Sequence, residues 1–207
     1  MEVSYMETEL ERADDLLQNG MYEEAAELLN RILEEEPDRQ RALWRIGVAF
    51  TELGEPSKAL KALTYYFDLC DADEEEVPED ENGQAYEAYG CATFKAGNYE
   101  KACEVLESAE QMLPESASIK RNLGVAYNQL GRRRESYEKF MASHLLNPYD
   151  YRTEYALATA HIYFGEYEQA KQVLEKMLEL QLPTDFKKLA EESYEWVLKK
   201  TGKKPEE

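Results

Sequence analysis

The stretch GQAYEAYGCATFKAGNYEKACEVLESAEQMLPES, residues 83–116, contains two amphipathic helices and the turn that joins them. Tyr86, Tyr89, Gly90 and Thr93 recur at helical spacing, which gives a first helix with one apolar or small face. Gly97 ends that helix, because glycine tolerates the left-handed backbone of a helix C-terminus. Asn98-Tyr99-Glu100 turns the chain, and Ala102, Leu106 and Ala109 form the inward face of a second helix. Pro114 closes the stretch, since it cannot donate the next helical hydrogen bond. The short side chains of Gly90 and Ala102 let the two antiparallel helices approach closely.

Outward from this stretch the pattern repeats. Gly20, Gly54, Gly97, Gly131 and Gly165 fall at spacings of 34, 43, 34 and 34. Two further rows of small residues keep the same frame: Ala13, Gly47, Gly90, Gly124 and Ala158 before them, and Ala25, Ala59, Ala102, Ser136 and Ala170 after them. A fixed period in this range means stacked copies of one supersecondary unit rather than a single globular core. Around Gly131 the frame holds Leu123, Gly124, Tyr127, Ser136, Phe140, Ser143 and Pro148; around Gly165 it holds Leu157, Ala158, Tyr167, Ala170, Leu174, Met177 and Pro183.

These residues resemble the tetratricopeptide repeat, a 34-residue helix–turn–helix family, over about residues 6–184. The first unit matches less closely: Glu9 and Arg12 stand where large apolar residues usually sit, as suits an exposed end. The expected fold is all-α, a right-handed superhelical solenoid of about five repeats with a C-terminal capping helix. The expected layout is an N-terminal tail (1–5), repeats at 6–39, 40–71, 83–116, 117–150 and 151–184, an acidic loop at 72–82, a capping helix at 185–201 and a flexible tail at 202–207. Thr184-Asp185 is the expected N-cap of the last helix and Gly202 its stop. The nine extra residues of the 43-residue interval lie around Asp71–Asn82, nearly all acidic, where self-repulsion predicts a solvated, mobile loop.

The 207 residues carry 44 acidic and 24 basic side chains, a formal net charge of −20. That field repels polyanions and anionic lipid surfaces, so neither a nucleic-acid nor a membrane partner is expected. No apolar run approaches the roughly 18 residues of a bilayer span. The acidic, polar start Met1-Glu2-Val3-Ser4-Tyr5 lacks the character of a secretory signal. Cys70, Cys91 and Cys103 fit no disulfide framework or zinc site. Together these suggest a cytoplasmic location. No phosphate-cradling loop or catalytic constellation stands out, His144 and His161 read as packing residues, and no enzyme activity, metal or cofactor is expected.

In the family that the repeats resemble, the second, fifth, sixth, ninth, twelfth and thirteenth positions of each unit face a concave groove. Transferred here, the candidate peptide-binding residues are Arg41, Trp44, Arg45 and Val48 in unit two, and Phe94 and Lys95 in unit three. Unit four contributes Arg121, Asn122, Val125 and Asn128, and unit five Arg152, Tyr155, Thr159, Ile162 and Tyr163. Over all six positions of units two to five, five basic residues (Arg41, Arg45, Lys95, Arg121, Arg152) face two acidic ones (Glu52, Glu87), a local surplus of +3. Arginines beside aromatics are the composition of binding hot spots, with Trp44 and Tyr155 as the expected anchors. A clamp for chaperone tails is absent in this register, where Leu10, Asp14 and Val48 occupy the positions of its Lys and Asn residues. The expected function is a non-enzymatic adaptor that binds a protein segment with apolar anchors and some acidic groups, as a monomer or weak homo-oligomer. Alternatives are a chaperone similar to the small repeat proteins that shield type III secretion translocators, and a self-assembling scaffold. Arg132-Arg133-Arg134 is expected on an edge away from the groove.

Overall fold

The computed structural model describes residues 2–37, 39–72 and 78–202, with side chains from residue 8 onward. Among them are eleven α-helices and no strand: α1 (Glu2–Gln18), α2 (Tyr22–Glu35), α3 (Gln40–Glu52), α4 (Pro56–Ala72), α5 (Glu79–Lys95), α6 (Tyr99–Met112), α7 (Ala117–Gln129), α8 (Arg133–Leu146), α9 (Tyr151–Phe164), α10 (Tyr167–Leu178) and α11 (Thr184–Thr201). They form two compact units, Met1–Pro114 with α1–α6 and Glu115–Glu207 with α7–α11. In the first unit the helices pair as three hairpins, α1–α2, α3–α4 and α5–α6; in the second, α7–α8 and α9–α10 pair and α11 packs on α10.

The row of glycines at the turns has one conformational cause. Gly20, Gly54, Gly97, Gly131 and Gly165 all adopt a left-handed backbone, with φ between 73° and 86°. The residue after each sends its N–H back to the carbonyl five residues earlier: Met21 to Leu16, Glu55 to Phe50, Asn98 to Thr93, Arg132 to Tyr127 and Glu166 to His161, at 2.8–3.1 Å. These are Schellman closures, which satisfy carbonyls that a helix end would otherwise leave orphaned.

The row of small residues inside the first helices has a different cause. A Cβ placed on Gly47 would lie 2.5 Å from Leu63 Cγ, one on Gly90 2.6 Å from Leu106 Cγ, and one on Gly124 2.6 Å from Phe140 Cε1. Each large side chain therefore rests directly on the backbone of the partner helix. Burying a Leu or Phe in this way stabilises by about 2–3 kcal/mol. Between hairpins, Leu10, Ala13, Leu28, Leu29 and Ile32 form a cluster with Ala42 and Ile46 on α3. Next to it Leu43, Trp44, Leu63 and Tyr66 pack with Ala85, Ala88 and Ala92 of α5. In the second unit Ala158, Ala170, Leu174 and Met177 are covered by Ala190 and Val197 of α11.

Two segments differ from expectation. The acidic stretch is not one long loop: α4 continues to Ala72 and α5 starts at Glu79, so both helices reach 17 residues. Pro78 takes the N-cap position of α5, and Glu79, Asp80 and Glu81 fill its first turn. Carboxylates are favoured there by the helix dipole, which offsets the self-repulsion that composition alone emphasises. Residues 73–77, the remainder of the expected loop, lie outside the described residues. The last helix begins at Thr184 with Pro183 at the N-cap and no side-chain cap hydrogen bond, so Thr184-Asp185 is its first turn rather than its cap. Gly202 ends it with φ 70°.

The two glycine rows predict different mutational costs. Gly97→Ala adds a methyl to open space and should lose only the left-handed strain, about 1 kcal/mol. Gly90→Ala meets Leu106 and should cost about 2–3 kcal/mol, although alanine is the better helix former. That second loss should shrink when Leu106 is itself Ala. Urea titration of the four variants measures all of this, and equal costs at both glycines would contradict the close approach.

Candidate functional site

In the first unit, two of the expected groove residues are interior. Trp44 is 6% exposed and fills the space above Ala85, Ala88 and Ala92. Arg45 is equally buried and forms a two-pronged pair with Asp14 of α1: Nε donates to Oδ1 at 2.7 Å and Nη2 to Oδ2 at 2.9 Å. Its Nη1 donates to the Arg41 carbonyl at 2.8 Å, and the guanidinium lies 4.3 Å from the Trp44 ring centroid. Trp44 and Arg45 are thus corrected from ligand contacts to structural residues. Family positions name a helix face, but the covering by α5 depends on the small side chains opposite.

The remaining cations of this face also hold helices together. Arg41 Nε lies 2.9 Å from Glu81 Oε1, which joins the start of α3 to the start of α5. At the other end Lys95 Nζ donates to the Thr51 carbonyl at 2.7 Å and sits 3.4 Å from Glu52 Oε1. Between these latches Val48 is half-buried against the core. Phe94, also half-buried, packs its ring on Tyr99 with centroids 5.1 Å apart.

In the second unit Arg121 Nη1 donates to Asp150 Oδ2 at 2.6 Å. Asp150 also accepts from Thr153 Oγ1 at 2.8 Å and from the Arg152 amide at 3.2 Å. Thr153 in turn contacts Ser143 Oγ, which donates to the Ala117 carbonyl, so one polar network ties α7, α8 and α9. Burial pushes the Asp150 carboxyl up, but the hydrogen bonds from Arg121, Thr153 and Arg152 outweigh it and hold the group below the usual carboxylate range. His144 Nδ1 meets the buried Glu154, and His161 Nδ1 lies 2.7 Å from Glu166 Oε2.

The expected surplus of +3 does not survive. Asp14 of α1, Glu81 of α5 and Asp150 at the N-cap of α9 pair with three of these cations, and all three lie outside the six positions counted in repeats two to five. Tyr155 and Ile162 pack against the α11 end of the core, Tyr155 through Phe186 and a 3.2 Å contact with Ser193 Oγ. Arg152 and Thr159 are exposed, while Asn122, Val125 and Asn128 are half-buried. Tyr163 is 62% exposed.

A second correction concerns the triple-arginine turn, expected away from these residues. Arg133 Nη1 donates to Asn128 Oδ1, and its guanidinium lies 4.9 Å from the Tyr163 ring centroid. Tyr163 is two residues from the left-handed Gly165 and so reaches the end of the hairpin where this turn lies. That proximity to the helix end was the available signal.

Helical hairpins locked by left-handed glycines and by leucine or phenylalanine set against helix glycines define a helical repeat protein of the interaction-scaffold class. The tetratricopeptide repeat family model matches residues 10–73 and 88–133, and a second model of that repeat matches residues 152–183. The chain belongs to the tetratricopeptide repeat family. Among solved structures it resembles a thermophilic repeat protein of Thermus thermophilus (22% identity, TM-score 0.72, 90% of this chain and 97% of that one). It also resembles PilF of Pseudomonas aeruginosa (20% identity, TM-score 0.68, 94% and 90%). Superkiller protein 3 of Schizosaccharomyces pombe is 32% identical over 89 residues, which span 43% of this chain but only 6% of that protein. No helix among the described residues is long and apolar enough to cross a membrane.

The Asp150 network makes a pH prediction. Because the folded carboxyl titrates below its unfolded value of about 3.9, its contribution is fully present above that pH and is lost as pH falls through the lower, folded value. Asp150→Asn should cost about 2 kcal/mol at neutral pH and flatten the loss of stability below about pH 4. Chemical denaturation from pH 7 to 3 checks it; an unchanged acid limb in the variant would refute this role for Asp150.

Proposed function

We propose that the protein is a non-enzymatic adaptor that holds a segment of a partner protein against the first helices of its hairpins, in a cytoplasmic setting. The observation that carries this reading is the uncovered face of α7 and α9. Along it Asn122 and Asn128 are half-buried, Gln129 and Thr159 are exposed and Tyr163 presents an exposed ring, while Leu123 and Ala126 of α7 and Leu157 and Ala158 of α9 are core. Amide side chains both donate and accept, so they suit the unpaired backbone of an extended segment. An exposed tyrosine adds area at low entropic cost. Four of the five cations first expected to supply affinity, Arg41, Arg45, Lys95 and Arg121, are engaged in inter-helix contacts, so on this face recognition rests mainly on amides and rings.

The ion-paired face of α3 and α5 favours an adaptor over a chaperone that shields a translocator, because shielding apolar surface calls for a contiguous exposed apolar patch and this face carries charged latches. Family membership supports the scaffold role.

Substituting Val125→Arg or Thr159→Arg should remove specific partners from an affinity capture in native extract, with the thermal midpoint unchanged within about 3 °C. Lys176→Glu, on the exposed side of α10, should retain them. Retention of the same proteins by all three variants would refute the α7–α9 face as the site.

A further inference from the structure

Three consecutive arginines occupy the N-cap (Arg132) and first two residues (Arg133, Arg134) of α8 in a chain of net charge −20. Two of them have a carboxylate within one helical turn. Arg132 forks onto Glu135, with Nε to Oε2 at 2.8 Å, and Arg134 Nε lies 3.8 Å from Glu138 Oε1. Arg133 is held differently. Its partners among the described residues are the Asn128 amide oxygen and the face of Tyr163, and neither carries a formal charge. A guanidinium held between an amide and a ring keeps its full positive charge and a fixed orientation, with further N–H donors along its edge.

Large rings adjoin this cation. Phe164 is 43% exposed beside Tyr163, with ring centroids 5.4 Å apart, and is braced from behind by Tyr137 at 6.0 Å. The end of α9 and the start of α8 thus present one oriented cation and two half-open aromatic rings together. Arg and Tyr are, with Trp, the residues enriched where binding energy concentrates.

We propose that this surface docks an acidic segment of a partner protein, with a carboxylate on Arg133 and a neighbouring apolar or aromatic side chain across Tyr163 and Phe164. The proposal rests on the scaffold reading and names the chemistry of its partner. Charge selects the class of ligand. A nucleic acid gains affinity by neutralising several phosphates, whereas this surface offers one guanidinium without an acidic partner among the described residues, which suits a single carboxylate. At physiological salt, charges more than about 8 Å away are largely screened, so the local guanidinium governs that contact. Arginine also meets a carboxylate with two parallel hydrogen bonds, which fixes the direction of the segment.

The test uses the full chain and three fluorescein-labelled heptapeptides: an acidic one, Gly-Ser-Asp-Phe-Ser-Gly-Gly, the same peptide with Gly for Phe, and a basic one, Gly-Ser-Lys-Phe-Ser-Gly-Gly. Fluorescence anisotropy should give saturable binding of the first, weakened about tenfold by removal of its Phe, by Arg133→Glu or by Tyr163→Ala. Arg133→Lys should recover only part of the affinity, and the basic peptide should bind Arg133→Glu no less well than the parent protein. Thermal melts of these surface variants should match the parent. The proposal is overturned if the acidic peptide shows no saturable binding or binds all variants alike. Displacement by oligothymidine, or a concentration-dependent mass in sedimentation that Arg133→Glu abolishes, would assign the surface to nucleic acid or to a second copy and overturn it equally. Failure here with partner capture still sensitive to Val125→Arg removes this surface alone; failure of both removes the scaffold reading.

Discussion

Everything in this fold depends on how closely two helices of one hairpin can approach. At Gly47, Gly90 and Gly124 a leucine or phenylalanine of the second helix lies where a Cβ would have to go. The contact sets the hairpin geometry, and the left-handed glycine at the turn returns the chain into it. Both requirements are local to about 34 residues, so the unit can be copied with other residues varying. What differs between copies is how each hairpin is fastened to the next.

That fastening uses polar groups in both compact units. Asp14–Arg45, Arg41–Glu81 and Lys95 with Thr51 and Glu52 join first helices in residues 1–114, and Arg121–Asp150 joins α7 to the start of α9 in the second unit. Pairs at exposed sites would contribute little, but Arg45 and Asp150 are largely desolvated and satisfied by several hydrogen bonds each. A buried ion pair must be geometrically complete or it destabilises, so these pairs also specify which helix faces meet. The cost to function is that the same cations are withdrawn from ligand binding.

The parts of the structure legible in the sequence are those with a period. Gly90 and Gly97 could be assigned separate jobs from spacing alone, and the structure has them in those jobs. Trp44 could be placed on the right helix face but not recognised as covered, because its burial depends on Ala85, Ala88 and Ala92 about forty residues on. Arg45 and Asp14 are 31 residues apart, and nothing periodic links them. The acidic stretch misled for a different reason: its composition suggests repulsion, while Pro78 and a first turn of carboxylates start a helix. Arg133 and Tyr163 belong to different units of the repeat, and only folding brings the ring beneath the guanidinium.

The claim that inner-face cations fasten hairpins rather than bind ligands is tested most directly by a double-mutant cycle on Asp14 and Arg45. Equilibrium unfolding of Asp14→Ala, Arg45→Ala and the double variant should give a coupling energy of at least about 1 kcal/mol, with Arg45→Ala alone costing about 3 kcal/mol. A coupling near zero, with both single variants as stable as the parent, would contradict it.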